Sequence, residues 1–160
     1  MATLTTAQVW AEIEKQMFAV LGMVTANNEA RTAGIVYVVN QRKLYIGSLD
    51  TAWKTRHVMH NPHVSMTVTI AKRILFLPWI KIPAATITFS GTAKVFAPED
   101  VSSEVIEALF KGMDVTTEDS PPFMVIEVTP QKEFLTYGVG VSLMDMRDPV
   151  KAQGRVSVGE

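Results

Sequence analysis

The sequence contains no cysteine. That removes disulfide frameworks, thiolate nucleophiles and cysteine-type metal sites together, and leaves any redox chemistry to a bound cofactor. Charge is also sparse: charged residues are 19% of the 160 and nearly cancel, for a formal net charge of -1. Neither disorder nor a polyanion-binding surface is indicated, so nucleic acid is not an expected partner. Long apolar runs are missing too. The most hydrophobic stretch, ILFLPWIKIPAATITF at 74–89, is interrupted by Pro78, Lys81 and Pro83, well short of the roughly 20 apolar residues of a spanning helix. No transmembrane segment is expected. The apolar side chains at Leu75, Phe76, Leu77, Trp79 and Ile80 still need cover, from a neighbouring subunit or a ligand, with peripheral membrane contact as the minor alternative. The amino-terminal MATLTTAQVWAEIEKQ lacks the basic start and apolar core of a secretory signal, so a cytoplasmic protein is expected.

Hydrophobic residues are 48% of the chain, enough for one domain over 1–160 with a continuous core. Thr5 or Thr6 can cap a first helix whose Val9, Trp10, Ile13 and Met17 recur at helical spacing. FAVLGMVT (18–25) and ARTAGIVYVVN (30–40) predict strands joined at the turn signal Asn27-Asn28. Asn40-Gln41-Arg42 then leads tightly into a third strand at Leu44. HVSMTVTI (63–70), AATITFSGTAKVFA (84–97, with a bend or bulge at Gly91) and FMVIEVTPQKEFLTY (123–137) complete a set of six strands. A further helix is expected from Pro98 to about Met113, with Val101, Val105, Ile106, Leu109 and Phe110 on its apolar face. The fold class is therefore α+β dominated by antiparallel β, curled into a barrel with flanking helices. Its core spans about 18–137, and 138–160 is an irregular tail.

The chemistry concentrates in 43–67. A short alternating strand ends at Ser48. Asp50 or Thr51 can cap a helix, and Asn61-Pro62 stops it. Lys54 falls in the first turns of that helix, near the positive end of its macrodipole, where a cation is unfavourable unless an anion is bound. Backbone N–H groups, the Ser48 and Thr51 hydroxyls and the Lys54 ammonium could converge on one phosphate. The residues alone leave this open against a solvated lysine on a surface helix. Arg31, Thr32 and Gly34 sit one meander step away. Arg31 would bracket the same phosphate and Gly34 would let a flat ligand approach the backbone, or the segment is a hairpin with an exposed arginine.

Three histidines, His57, His60 and His63, invite a metal reading. The Asn-Pro break separates the last of them, and no nearby carboxylate completes a ligand set. They are read as surface histidines, with a haem-ligand role for one of them left open. Gly138 and Gly140 in YGVGVSL lack the third glycine and the βαβ context of a dinucleotide loop. Neither a GxSxG nor a P-loop pattern occurs.

The order of these pieces resembles the FMN-binding split-barrel family, the pyridoxamine 5'-phosphate oxidase-like proteins. The resemblance runs from about Phe18 to Phe110 and is most specific in LYIGS, TAWKTRHV and NPHVSMTV. It implies a six-stranded split β-barrel, a homodimer with FMN in each of two inter-subunit clefts, and an oxidoreductase acting on a small molecule. It implies phosphate contacts from Arg31 and Lys54. Thr32, Ala33 and Gly34 would lie beside the flavin, Gly47 and Ser48 would end the next strand, and Thr86 would reach the flavin from the second subunit. Ala52 and Trp53 replace a serine and an arginine common in the family. Thr51 and Arg56 are candidate substitutes, and Trp53 is counted among the cofactor contacts. The carboxy-terminal arginine and histidine pattern of true pyridoxamine phosphate oxidases is missing, so that activity is not expected. The family also includes deazaflavin F420 and haem binders, which leaves a non-catalytic flavin or haem carrier as the alternative.

Overall fold

A computed structural model describes residues 3–73, 79, 81–111 and 122–159. The apolar side chains at 74–78 and 80, and the expected helix end at Met113, lie outside the described residues. Helix α1 (Thr6–Glu14) opens on Thr5. The Thr5 side chain accepts from the Gln8 N–H while Gln8 returns a bond to the Thr5 N–H, a complete capping box. Its Val9, Trp10 and Ile13 are buried. Thr5→Ala is expected to lower stability by about 1 kcal/mol, read as a reduced midpoint in thermal denaturation.

Eight strands form one antiparallel sheet: β1 (Phe18–Val24), β2 (Ala30–Val36), β3 (Val38–Asn40), β4 (Lys43–Leu49), β5 (His63–Ile70), β6 (Ala85–Phe96), β7 (Phe123–Tyr137) and β8 (Gln153–Ser157). The neighbour order is β2-β1-β5-β6-β7-β4-β3, with β8 added beside β7. Because β2 and β3 are halves of one extended segment, the two ends of that path meet at Tyr37. The sheet is thus a barrel of six segments, closed by residues 30–40 changing partner from β1 to β4.

Tyr37 is where the expected single strand divides. Its N–H donates to the Met17 carbonyl and its hydroxyl to the Ile13 carbonyl at 2.7 Å. The residue is thereby pinned to the end of α1 and taken out of both ladders. Alternation explains the interior: Ala19, Leu21 and Met23 of β1, Leu44 and Ile46 of β4, and Val64, Met66 and Val68 of β5 all point into one buried cluster. Phe134 sits within it, edge-on to both Trp10 and Phe89 at 5.4 Å.

Three expectations need correction. The helix expected from Pro98 is a single 3-10 turn, Pro98–Asp100. Val101 is then extended, and helix α3 (Ser103–Phe110) starts afresh on Ser102. The register between β6 and β7 slips between Thr88 and Ser90, just ahead of Gly91, where the bend or bulge is expected. The tail expected to be irregular is regular over much of its length: a 3-10 turn (Asp145–Arg147), helix α4 (Pro149–Ala152) capped by Asp148, and β8. Gly154 and Val156 face inward while Gln153, Arg155 and Ser157 face out. Strand β8 is tied down by an Arg155–Glu133 ion pair at 2.5 Å, by Thr6 Oγ1 donating to the Ser157 carbonyl and by Trp10 Nε1 donating to the Val158 carbonyl. Five residues with two inward positions are too short a pattern to stand out in sequence.

A smaller cluster of Tyr45, Val105 and Val125 lies under α3. Tyr45 donates to Glu127 at 3.1 Å, and Glu127 also pairs with Lys43 at 2.9 Å. Burial, then the Glu127 charge and that hydrogen bond, push the Tyr45 hydroxyl up to about 12. Burial raises Tyr37 further still. Tyrosines with folded pKa values above the unfolded value of about 10 contribute stability in full below that pH. That contribution is lost as pH climbs through the folded value. A pH titration is expected to show tyrosinate absorbance from these two residues only at the alkaline end, with the unfolding midpoint falling from about pH 10 upward. Ordinary titration with unchanged stability would mean that these contacts do not form in solution.

Candidate functional site

The split in the barrel, where β2 leaves β4, forms a hollow of about 350 Å³. Gly34 and Val36 come from β2 and Gly47 from the outward side of β4. Phe110 comes from α3, Phe123 from the start of β7, and Lys54 from helix α2 (Trp53–His60). Leu109, Ile35 and Ile46 complete the apolar walls. Helix α2 begins differently from expectation: its N-cap is Ala52, with no side-chain cap bond. Thr51 is exposed ahead of the helix. Asp50 is drawn away by its N–H, which donates to the Pro122 carbonyl, while its Oδ1 is buried with no partner among the described residues. Lys54 therefore occupies the second position of a helix whose first-turn N–H groups have no side-chain acceptor, which concentrates positive potential at one end of the hollow. Among the described residues Lys54 forms no ion pair.

The expected cluster is divided among three hollows, with Ser48, Ala33 and Trp53 in none of them. Gly34, Gly47 and Lys54 share the hollow. Arg31 and Thr32 line another depression, with Gly22, Ser65 and Gly91, and Arg31 Nη2 lies 3.8 Å from Glu29 Oε2. The two cations expected to converge thus line different hollows of the protomer, because Arg31 stands three residues upstream of Gly34, about 10 Å along the strand and on its opposite face. Thr86 lines a third hollow of about 370 Å³ with Thr88, Tyr137 and Arg155. Ser48 turns inward, where its Oγ accepts from the Thr55 hydroxyl at 2.8 Å, and Ala33 packs half-buried against the core. Trp53 is partly exposed and lies edge-on to His57 at 5.7 Å. Among the described residues no group of three or more His, Asp or Glu side chains is placed to hold a metal.

The aromatic rings are what sequence reasoning missed. A Cβ on Gly47 would come within 2.8 Å of the Phe123 ring, and one on Gly34 within 3.1 Å of the Phe18 ring. Phe123 is held edge-on by Phe110 at 4.3 Å. The two glycines therefore admit the protein's own phenylalanines, and any flat ligand would meet those rings rather than bare backbone. The site as built offers one cation, a set of free helix N–H donors and an apolar aromatic wall. Such a set suits an anionic group attached to a planar or apolar body.

Known proteins point to the same architecture. The profile of the pyridoxamine 5'-phosphate oxidase family matches residues 5–137. General stress protein 26 from Bacillus anthracis is 18% identical, with a TM-score of 0.59 over 82% of this chain and 92% of that one. A haem-binding protein from Mycobacterium smegmatis is 13% identical, with a TM-score of 0.68 over 99% of this chain and 60% of that one. The haem storage protein HutZ from Vibrio cholerae is 18% identical, with a TM-score of 0.61 over 84% of this chain and 96% of that one. No curated protein matches the chain in sequence. At these identities the structures speak for the fold, and the family match covers most of the chain: it belongs to the FMN-binding split-barrel family, the pyridoxamine 5'-phosphate oxidase-like proteins.

Proposed function

We propose that the chain binds FMN between two copies of itself and serves as a flavin-dependent oxidoreductase of a small molecule. The observation that carries this is Lys54 in the uncapped first turn of α2, at the cationic end of a hollow otherwise walled by apolar and aromatic side chains. Those residues fit the group in kind: the phosphate would be held by the Lys54 ammonium and the first-turn N–H groups, with the ring system against Phe110 and Phe123. Flavin, when bound, supplies the hydride and electron transfer that no side chain here can.

The protein's own share is to position, to exclude water and to donate hydrogen bonds. At about 350 Å³ the hollow is at the small end of ligand cavities, roughly 300–1,000 Å³, as half of a shared site would be. Val36, 60% exposed, and Phe18 and Met17 beside it leave an apolar rim that a second copy would cover. Thr86, on a different face, is available to reach a partner's hollow. Arg31 is left out of the Lys54 grip within one protomer, and its expected phosphate role is replaced here by the helix N–H groups.

Haem carriage is the second reading, favoured by one observation: the likeness to the Mycobacterium smegmatis haem-binding protein extends over 99% of the chain, the terminal α4 and β8 included. Titration of the purified protein with FMN, deazaflavin F420 and haem, followed by absorption and by sedimentation, tests both readings. A flavin spectrum saturating at one FMN per protomer in a dimer is expected. Saturable haem binding with no response to either flavin would replace the first reading by the second.

A further inference from the structure

On another part of the surface, a cavity of about 510 Å³ opens between residues 81–83 and the turn before α4. Ile82, Pro83, Leu143, Met144 and Met146 give it apolar walls, Lys81 and Arg147 are its cations, and among the described residues no carboxylate, hydroxyl or amide side chain lines it. Its floor is fixed: Met146 is buried and its carbonyl accepts from the Tyr137 hydroxyl at 2.9 Å. The rim is apolar and open to water, with Met144 70% exposed and Leu143 also exposed. Trp79, two residues from Lys81, is 73% exposed.

The nearby acids are engaged elsewhere. Asp145 accepts from Ser142 Oγ at 2.7 Å and lies 3.9 Å from Lys151 Nζ, and Asp148 accepts from the Val150 and Lys151 N–H groups. Among the described residues neither Lys81 nor Arg147 forms an ion pair. Two uncommitted cations beside apolar walls call for a ligand with one anionic end and an apolar remainder. A sugar phosphate or nucleotide would bury its hydroxyls and amides without partners.

We propose that this cavity takes a free anionic amphiphile: an acyl chain against Met146, Leu143 and Ile82, ending in a carboxylate paired by Lys81 and Arg147. A convex apolar protrusion would suit a bilayer. Here the apolar side chains surround a hollow with a buried floor, which suits a single chain. The inference does not depend on flavin binding, since its residues are separate from those around Lys54.

Calorimetric titration with dodecanoate below its micellar concentration tests it, with dodecanol and phosphatidylglycerol vesicles as comparison arms. A single dodecanoate site per chain is expected, with dodecanol at least about tenfold weaker and the Lys81→Gln/Arg147→Gln double variant losing about tenfold or more in affinity. Leu143→Asn, a neutral change at the exposed rim, should weaken binding of acid and alcohol alike while leaving the unfolding midpoint in place. Equal affinity for acid and alcohol, or a double variant that binds dodecanoate normally, would overturn the assignment. Binding to anionic vesicles without binding of monomeric dodecanoate would overturn it too, and would make the patch a membrane contact.

Discussion

Replacement of Phe134 by alanine is expected to cost about 3–5 kcal/mol, the range for truncating a fully buried phenylalanine. Phe134 has no exposure and stands between Trp10 of α1 and Phe89 of β6, edge-on to each at 5.4 Å. Removing its ring deletes apolar burial, two edge-to-face contacts and the wedge that holds α1 against the barrel mouth. The void cannot collapse easily, because on the barrel side its walls, Phe89 among them, are strand residues fixed by ladder hydrogen bonds. Phe134→Leu retains most of the volume and should cost roughly half as much or less. Chemical denaturation of the two variants checks this. A loss under 1 kcal/mol for the alanine variant would mean that the α1–barrel contact is not part of the cooperative unit.

Much of this fold is legible in sequence because its signals are local. Alternation in FAVLGMVT and HVSMTVTI, the capping box at Thr5 and the Asn-Pro stop after His60 each act within a few residues. What sequence does not carry is where a partner changes. Residues 30–40 read as one strand, yet Tyr37 divides them because its N–H and hydroxyl find carbonyls at the end of α1. The same holds for β8, whose place is set by β7, across the turn and α4 between them, and by α1 at the other end of the chain.

The site divides along the same line. Lys54 in a first helical turn follows from local spacing, and its hollow does contain Gly34 and Gly47. The pairing of Gly47 with Val125 brings the start of β7, and with it Phe123, over the outward face of β4. No spacing in the chain announces a contact across seventy-odd residues. Nor did the sequence separate Arg31 from Lys54: both are cations in the expected order, and it is the rise and the alternation of the strand together that place Arg31 and Gly34 at different hollows.

That separation makes the response of Lys54 the sharper test of the phosphate site. If the ammonium and the free N–H groups of α2 hold the phosphate without Arg31, Lys54→Ala should weaken FMN binding by about 1.5–3 kcal/mol, roughly 10- to 150-fold, the worth of a charged hydrogen bond. Arg31→Ala should then change it by much less. Lys54→Arg keeps the charge and should recover a substantial part, because a phosphate accepts either cation. Riboflavin, which lacks the phosphate, should bind equally to wild type and Lys54→Ala. That comparison separates loss of a phosphate contact from a general disturbance of the hollow. If riboflavin affinity falls as far as FMN affinity, Lys54 is supporting the Phe110–Phe123 wall rather than meeting an anion, and the helix tip has no phosphate to hold.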